Sequence, residues 1–195
     1  RAGADDDLVD LHARALGDDE AAAVRAAKQY LGFFPSANSL PLPASSLTSL
    51  PGVPETAVPP SWCCADQTLL RDAVPENRLR TYDVRTVVHT LVDEASVLEL
   101  RAGFGTGIVT ALARVAGQTV GLLANNNQHL GGAIDAEAAD KAVHFMRLCN
   151  AQGWPLVSLV DTPGFMVGPD TEQTAQVRRA SALFLVAAQL KVPFF

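Results

Sequence analysis

Residues 156–160, Leu-Val-Ser-Leu-Val, form an apolar run between a helix-like stretch and a loop rich in glycine and proline, and no other feature constrains the fold as much. A short apolar run of this kind predicts a strand buried on both faces, which demands a covering layer on each side of a sheet. Before it, residues 136–152 place Ala138, Ala142, Phe145, Met146 and Cys149 on one helical stripe. After it come a Gly/Pro loop over 161–169, a helix expected over 172–190, and the start of another strand at Pro193. Upstream, 107–115 and 119–124 flank Ala116-Gly117-Gln118 in a hairpin pattern, 86–91 reads as a short helix and 97–100 as a strand. Strand, helix, strand, loop, helix, strand is the order of an α/β fold.

The front of the sequence differs in character. Residues 21–34 predict a helix capped by Asp18 or Asp19, with Val24, Ala27, Lys28 and Leu31 at helical spacing and Pro35 and Asn38 ending it. Its acidic start reads as a solvated helix terminus that complements the dipole. Residues 35–62 carry Pro35, Pro41, Pro43, Pro51, Pro54, Pro59 and Pro60, a density that forbids regular helix and predicts an extended linker.

Composition narrows the partners. Of 195 residues, 48% are hydrophobic and 18% charged, enough apolar material for a real core. A net charge of -6 gives no global basic field for nucleic acid or an anionic membrane surface. No apolar run approaches the roughly 20 residues of a spanning helix, so no membrane partner is expected. Cys63, Cys64 and Cys149 are odd in number and show no CxxC spacing, which points to a reduced, cytoplasmic protein. The sequence opens without Met and stops on the apolar segment Val192-Pro193-Phe194-Phe195, so a piece of a longer chain is expected.

Several familiar chemistries find no support. Asp161-Thr162-Pro163-Gly164 after a strand is the DxxG of a GTPase, but none of the three lysines (Lys28, Lys141, Lys191) follows a glycine, as a P-loop requires. Gly103-Phe104-Gly105-Thr106-Gly107 resembles a dinucleotide fingerprint, yet Ile108 stands where the last glycine belongs and a strand follows, so a turn is expected. The four histidines (His12, His89, His129, His144) have no metal-ligand spacing, and no GxSxG elbow exists. His144 and Cys149 fall on a helix, where core or surface roles are the default.

What remains is glycine at element ends: Gly131-Gly132 before a helix, and Gly164 and Gly168 after a strand. Any one of them is ordinary turn chemistry. Together they suit backbone brought close to a ligand, because uncovered N–H groups near a helix N-terminus can hold an oxyanion. From the residues alone the reading stops at an oxyanion-binding loop of unknown chemistry.

Four stretches, taken in order and spacing over about 74–195, carry a resemblance. They are Val74-Pro75-Glu76-Asn77-Arg78 leading to Tyr82-Asp83-Val84-Arg85; Val120-Gly121-Leu122-Leu123-Ala124-Asn125; Gly131-Gly132-Ala133-Ile134-Asp135 through Asp140-Lys141-Ala142; and Pro155-Leu156-Val157 through Asp161-Thr162-Pro163-Gly164-Phe165 to Gly168. The sequence resembles the carboxyltransferase (beta) subunit or domain of biotin-dependent acyl-CoA carboxylases of the acetyl-/propionyl-CoA carboxylase type, in the crotonase superfamily. The resemblance implies a crotonase-like ββα spiral present only in part: 1–40 as the end of an N-terminal half, 41–80 as a Pro-rich linker, and 81–195 as the front of a C-terminal, biotin-side half.

The resemblance also implies a chemistry. Carboxybiotin from a separate carrier releases carbon dioxide, the biotin enolate takes the α-proton of an acyl-CoA, and the acyl enolate captures the carbon dioxide. Two oxyanion holes of backbone N–H groups then suffice, with no catalytic acid, base or metal. By this resemblance Gly164 and Phe165 carry the first catalytic donor on the biotin side, with the N–H groups expected to be vacant, and Gly131, Gly132, Ala133 and Gly168 bind the cofactor. The second donor and the CoA-binding N-half are expected outside this sequence, which alone should be inactive. Expected partners are biotin carboxylase, a biotin carboxyl carrier and further copies of the chain, with sites shared across subunits. The extra apolar residues at 183–190 fit such burial. Asn125-Asn126-Asn127-Gln128 departs from the more usual Asn-Gln-Pro and leaves the loop shape open. Two alternatives stay open: the carboxyltransferase subunit of a sodium-pumping biotin-dependent decarboxylase, and a non-catalytic crotonase-like interaction domain.

Overall fold

The structure, a computed structural model, describes residues 20–34, 64–77 and 80–195. The Asp18/Asp19 cap, the proline-dense stretch 35–62 and Cys63 lie outside the described residues. Residues 64–77 of the expected 41–80 linker, by contrast, are helical in part, and the Gln67 amide donates to Thr90 O at 2.6 Å. In chain order the elements are α1 (Glu20–Leu31), a 3-10 turn (Gln67–Leu69) running into α2 (Leu70–Ala73), α3 (Val84–Leu91), β1 (Leu98–Leu100), β2 (Ile108–Val115), β3 (Gln118–Asn125), a 3-10 turn (Leu130–Gly132), α4 (Ala136–Gln152), β4 (Leu156–Leu159), α5 (Pro169–Glu172) and α6 (Gln176–Ala187).

The strands form one sheet in the order β1-β2-β3-β4. The first three are antiparallel and β4 is parallel to β3, so β2, β3 and α4 make one ββα turn and β4 begins the next. Beyond β4, residues 193–195 add further pairing: Leu156 N–H donates to Pro193 O at 2.9 Å and Ser158 N–H to Phe195 O at 2.8 Å. The hairpin turn is local chemistry. Ala116 and Gly117 have φ of 49° and 75°, the two-residue turn whose twist matches the strands. Asp93 holds it from outside, its carboxylate accepting both turn N–H groups at 3.0 and 2.7 Å.

The sheet separates two apolar cores. Ile108 and Leu112 of β2 face α4, α6 and Phe33, whereas Val109, Ala111 and Ala113 face Val84 and Val88 of α3. The strands buried on both faces are therefore β2 and β3, in the middle of the sheet, rather than 156–160. In β4 only Leu156 is fully buried, and Val160 is 73% exposed. Among the described residues the 193–195 segment lies beyond β4, parallel to it.

The expected helix 136–152 is α4 itself, begun by Asp135, whose Oδ1 accepts Ala138 N–H at 2.8 Å, and ended by left-handed Gly153 (φ 74°). The helix expected over 172–190 is divided. Ala175 takes φ 57°, and this break turns Gln176 inward, where its amide donates to Ile134 O at 2.8 Å. The end also tightens, with Gln189 and Leu190 bonding three residues back.

Gly121 explains how α4 lies so close to the sheet. A Cβ there would stand 2.5 Å from Cys149 Sγ, 3.0 Å from Leu156 Cδ2 and 3.2 Å from Phe145. Gly121→Ala should therefore cost about 1–3 kcal/mol by overpacking. Chemical denaturation of the full-length protein should show that loss, and Cys149→Ala in the same chain should recover much of it.

Candidate active site

Because β3 and β4 are parallel, the loops that leave them emerge at the same end of the sheet, where open α/β folds hold ligands. The first loop runs from Asn125 to Asp135 and the second from Asp161 to Gly168. They touch directly. A Cβ on Gly132 (φ 85°) would collide with the Asp161 carbonyl oxygen, so glycine is required both by conformation and by contact. Ile134 then bridges to the second loop, donating its N–H to Gly164 O and accepting from Met166 N–H, both at 2.9 Å.

Three consecutive asparagines form the base of this junction. Asn125 Oδ1 accepts Asp161 N–H at 3.2 Å. The Asn126 amide donates to Thr106 O at 2.9 Å, and its Oδ1 accepts Gln128 N–H at 3.2 Å. Asn127 Oδ1 accepts Tyr82 N–H, and its amide donates to Asp161 Oδ2, both at 3.2 Å. Tyr82 completes the cluster, its hydroxyl donating to the same Oδ2 at 2.8 Å. Burial pushes the Tyr82 phenol up to about 12, reinforced by its hydrogen bond to Asp161 and by that carboxylate's charge. The loop 125–128, whose shape the sequence left open, is thus set by side-chain hydrogen bonds.

The expected donors are not equivalent. Gly164 N–H is taken by Thr162 Oγ1 at 3.0 Å, so the vacancy expected at Gly164 is not found. A local Ser/Thr turn satisfies it, and its φ of 127° explains the glycine. Phe165 N–H, by contrast, meets no acceptor among the described residues. Phe165 pairs with Ile134 through its neighbours' groups, so its own N–H points to the other side, as a parallel ladder dictates. Its ring touches Phe184 at 5.8 Å between centroids. The same side chain lines an apolar cavity of about 230 Å³ with Ile134, Met146, Leu183, Phe184 and Phe194.

Of the cofactor-binding set, Gly132 and Ala133 spend their N–H groups on His129 O (2.9 Å) and Leu130 O (3.2 Å). Gly131 stands open at φ 62°, with nothing within 4 Å of where a Cβ would stand. Gly168 (φ 129°) leads into the four-residue α5, whose Asp170 and Thr171 line a cavity with Leu130, Asp135 and Met166 of the two loops.

Two features here were not read from the sequence. One is the Tyr82–Asn127–Asp161 cluster, whose only signal was the run of asparagines. The other is His129, whose Nε2 lies 2.9 Å from Asp135 Oδ2 and whose Nδ1 lies 3.2 Å from Thr106 Oγ1. Asp135 as helix cap, six residues after His129, was the available clue. The Gly103–Gly107 segment is a turn, and Gly105 lets it approach the start of α4, since a Cβ there would be 2.7 Å from Glu137 O. Among the described residues no group of three or more His, Cys, Asp or Glu is placed to hold a metal ion. The Cys149 thiol is buried, which pushes it up to about 12.

Both loops fall within residues 12–195, which match the carboxyl transferase domain family. The chain belongs to that family. The carboxyl transferase domain is shared with the methylmalonyl-CoA carboxyltransferase 12S subunit of Propionibacterium freudenreichii subsp. shermanii, 36% identical over 178 residues, 91% of this chain and 32% of that one. It is shared too with the propionyl-CoA carboxylase beta chain of Rhodococcus erythropolis, 44% identical over 128 residues, 64% of this chain and 27% of that one. Among solved structures, a single-chain, multi-domain long-chain acyl-CoA carboxylase superposes with a TM-score of 0.75 at 48% identity, covering 90% of this chain and 16% of its own. The transcarboxylase 12S hexamer with methylmalonyl-CoA and methylmalonic acid bound superposes at 0.74 with 36% identity, over 90% and 31%. The fold is the crotonase-like α/β spiral of these carboxyl transferase domains, and the chain spans about a third or less of their length.

Proposed function

We propose that the protein containing this chain performs the carboxyltransferase half-reaction of a biotin-dependent acyl-CoA carboxylase, and that this chain supplies part of the biotin side. The observation that carries the reading is Phe165 N–H, a donor without acceptor at the end of two parallel strands in a carboxyl transferase domain. Biotin fits this place in chemistry: its ureido oxygen accepts an N–H, and its apolar body suits the walls of the cavity beside Phe165. Bound carboxybiotin supplies the carboxyl group and the base that takes the α-proton.

The protein's part is electrostatic and positional. Phe165 N–H stabilises negative charge on the ureido oxygen, and the Ile134 bridge fixes the direction of that donor. Thr162 occupies Gly164 N–H and so holds the turn in shape. Gly131 and Gly132, with Ala133 and Gly168, shape the backbone around the cofactor. The acyl-CoA site and the second oxyanion donor belong to the rest of the protein, so this chain alone is inactive.

The partners follow from the reaction: a biotin carboxylase, a biotin carboxyl carrier and further copies of the chain, in the cytoplasm. Assembly is supported by α6, which exposes Val177 and Leu185. No helix among the described residues is long and apolar enough to cross a membrane. The sodium-pumping decarboxylase reading would use the same loops in reverse, and the interaction-domain reading would use none of their N–H groups.

The test combines the full-length protein with biotin carboxylase and biotinylated carrier and follows labelled bicarbonate into acetyl-, propionyl- and long-chain acyl-CoA. Label should enter at least one. Phe165→Pro, which removes the N–H, should lose about 100-fold or more in rate, while Phe165→Leu keeps most of it. No transfer to any acyl-CoA, or equal rates for the two variants at equal melting temperature, overturns the reading.

A further inference from the structure

We infer that His129 is the positioning residue of the glycine-rich loop, fixing Leu130–Ala133 to the first turn of α4 and to the connection between β1 and β2. The need for such an anchor is in the backbone. Leu130, Gly131 and Gly132 take φ of 49°, 62° and 85° in succession, a left-handed stretch that a leucine adopts only at a cost. Strained backbone persists where its surroundings over-determine it. Downstream of the stretch, Gly132 is pressed against Asp161 and Ile134 is bonded to Gly164 and Met166. Upstream, the matching hold is the ring of His129.

The ring is built into place on three sides. Its Nε2 meets Asp135 Oδ2 at 2.9 Å while Asp135 Oδ1 caps α4 through Ala138 N–H at 2.8 Å, so one carboxylate serves the loop and the helix together. In the tautomer with its proton on Nε2 the ring donates to Asp135, and Nδ1, 3.2 Å from Thr106 Oγ1, accepts from that hydroxyl. The third side is Gly107, where a Cβ would stand 3.2 Å from the ring's Cδ2. Glycine at 107 leaves the slot that the ring fills. The motif that mimics a dinucleotide fingerprint thus has a structural purpose: Gly105 seats the turn on α4, and Gly107 receives His129.

The loop held in this way is the one placed beside the cofactor above, so the kinetic consequence rests on the proposed carboxyl transfer. The structural consequence does not. The experiment uses full-length His129→Ala and His129→Gln, since a glutamine amide can donate to Asp135 where Nε2 does. Amide hydrogen exchange at 131–133 should accelerate at least tenfold in His129→Ala, with β3 and the body of α4 unchanged. Turnover should fall about 100-fold, the size expected for slight misplacement of a reacting group, with KM for acyl-CoA within twofold. Glutamine should recover most of the rate, and free imidazole should restore part of it to the alanine variant by refilling the slot. Unchanged exchange at 131–133 sinks the anchor. Faster exchange with normal turnover, or a loss that neither glutamine nor imidazole relieves, sinks the positioning role. A wild-type protein without carboxyl transfer overturns the proposed function instead, and exchange alone then decides the anchor.

Discussion

Alanine at Gly132 should part the two loops of the site and cost the full-length protein about 2–4 kcal/mol. The left-handed φ of 85° contributes about 1–2 kcal/mol of this. The rest comes from the methyl group, which meets the Asp161 carbonyl oxygen, a backbone atom that cannot swing aside as a side chain would. Carboxyl transfer should fall by about 100-fold or more, because the position of Phe165 N–H depends on the Ile134 bridge between the same loops. Gly131→Ala is the control. It has a similar φ of 62° but nothing within 4 Å, so it should carry the conformational cost alone, about 1 kcal/mol. Denaturant midpoints and turnover of the two variants check this, and equal behaviour would show that the close approach at Gly132 has no consequence.

The second large effect concerns stability against pH. Lys141 is 1% exposed, and its ammonium has no hydrogen-bond partner among the described residues. Burial pushes it down to about 8; the Glu99 carboxylate opposes this, and Arg85 and Arg101 add to it. The charged form is therefore disfavoured in the folded chain. That penalty is fully present below pH 8 and is relieved as pH rises from about 8 towards the unfolded value of 10.5, where the unfolded chain binds the extra proton. Lys141→Met, of similar length and without charge, should raise stability by about 2–3 kcal/mol at pH 6–7, the size of such a shift. The gain should shrink steadily between pH 8 and 10.5. A melting series of both proteins over pH 6 to 10.5 decides it, and a gain that does not change with pH would assign the effect to packing.

The elements of the fold were legible where one physical signal governed them. Residues 136–152 had an apolar stripe, an aspartate cap and a terminal glycine, and all three agree in α4. The hairpin had Ala116-Gly117 between two apolar runs. Residues 156–160 were misjudged because composition reports how apolar a strand is, not how many neighbours cover it. The antiparallel β2 and β3 hold the doubly buried places, and in β2 Thr110 and the small alanines hide that from a reading by hydrophobicity. The helix break at Ala175 was invisible since alanine is a strong helix former, and the bond from Gln176 to Ile134 spans 42 residues. At the site, the glycines were found because φ and close approach leave a mark in residue type. Tyr82, Asn127 and His129 were passed over because their hydrogen bonds join segments far apart in sequence or lie in a loop without a period. Lys141 on the buried side of α4 ran against every expectation of patterning.

The two borders of the sheet are unlike, and that gives growth of the sheet a direction. At one border β1 is three residues long, Arg85 grips Glu99 with two bonds of 2.7 Å, and Gln29 of α1 already occupies the Val97 carbonyl. Short length, charge and a covering helix are the devices that stop a border from recruiting a stranger's strand. At the other border Phe194 and Phe195 lie against β4 with apolar side chains in the open. Among the described residues, the devices at β1 leave no free run of backbone for another strand to join.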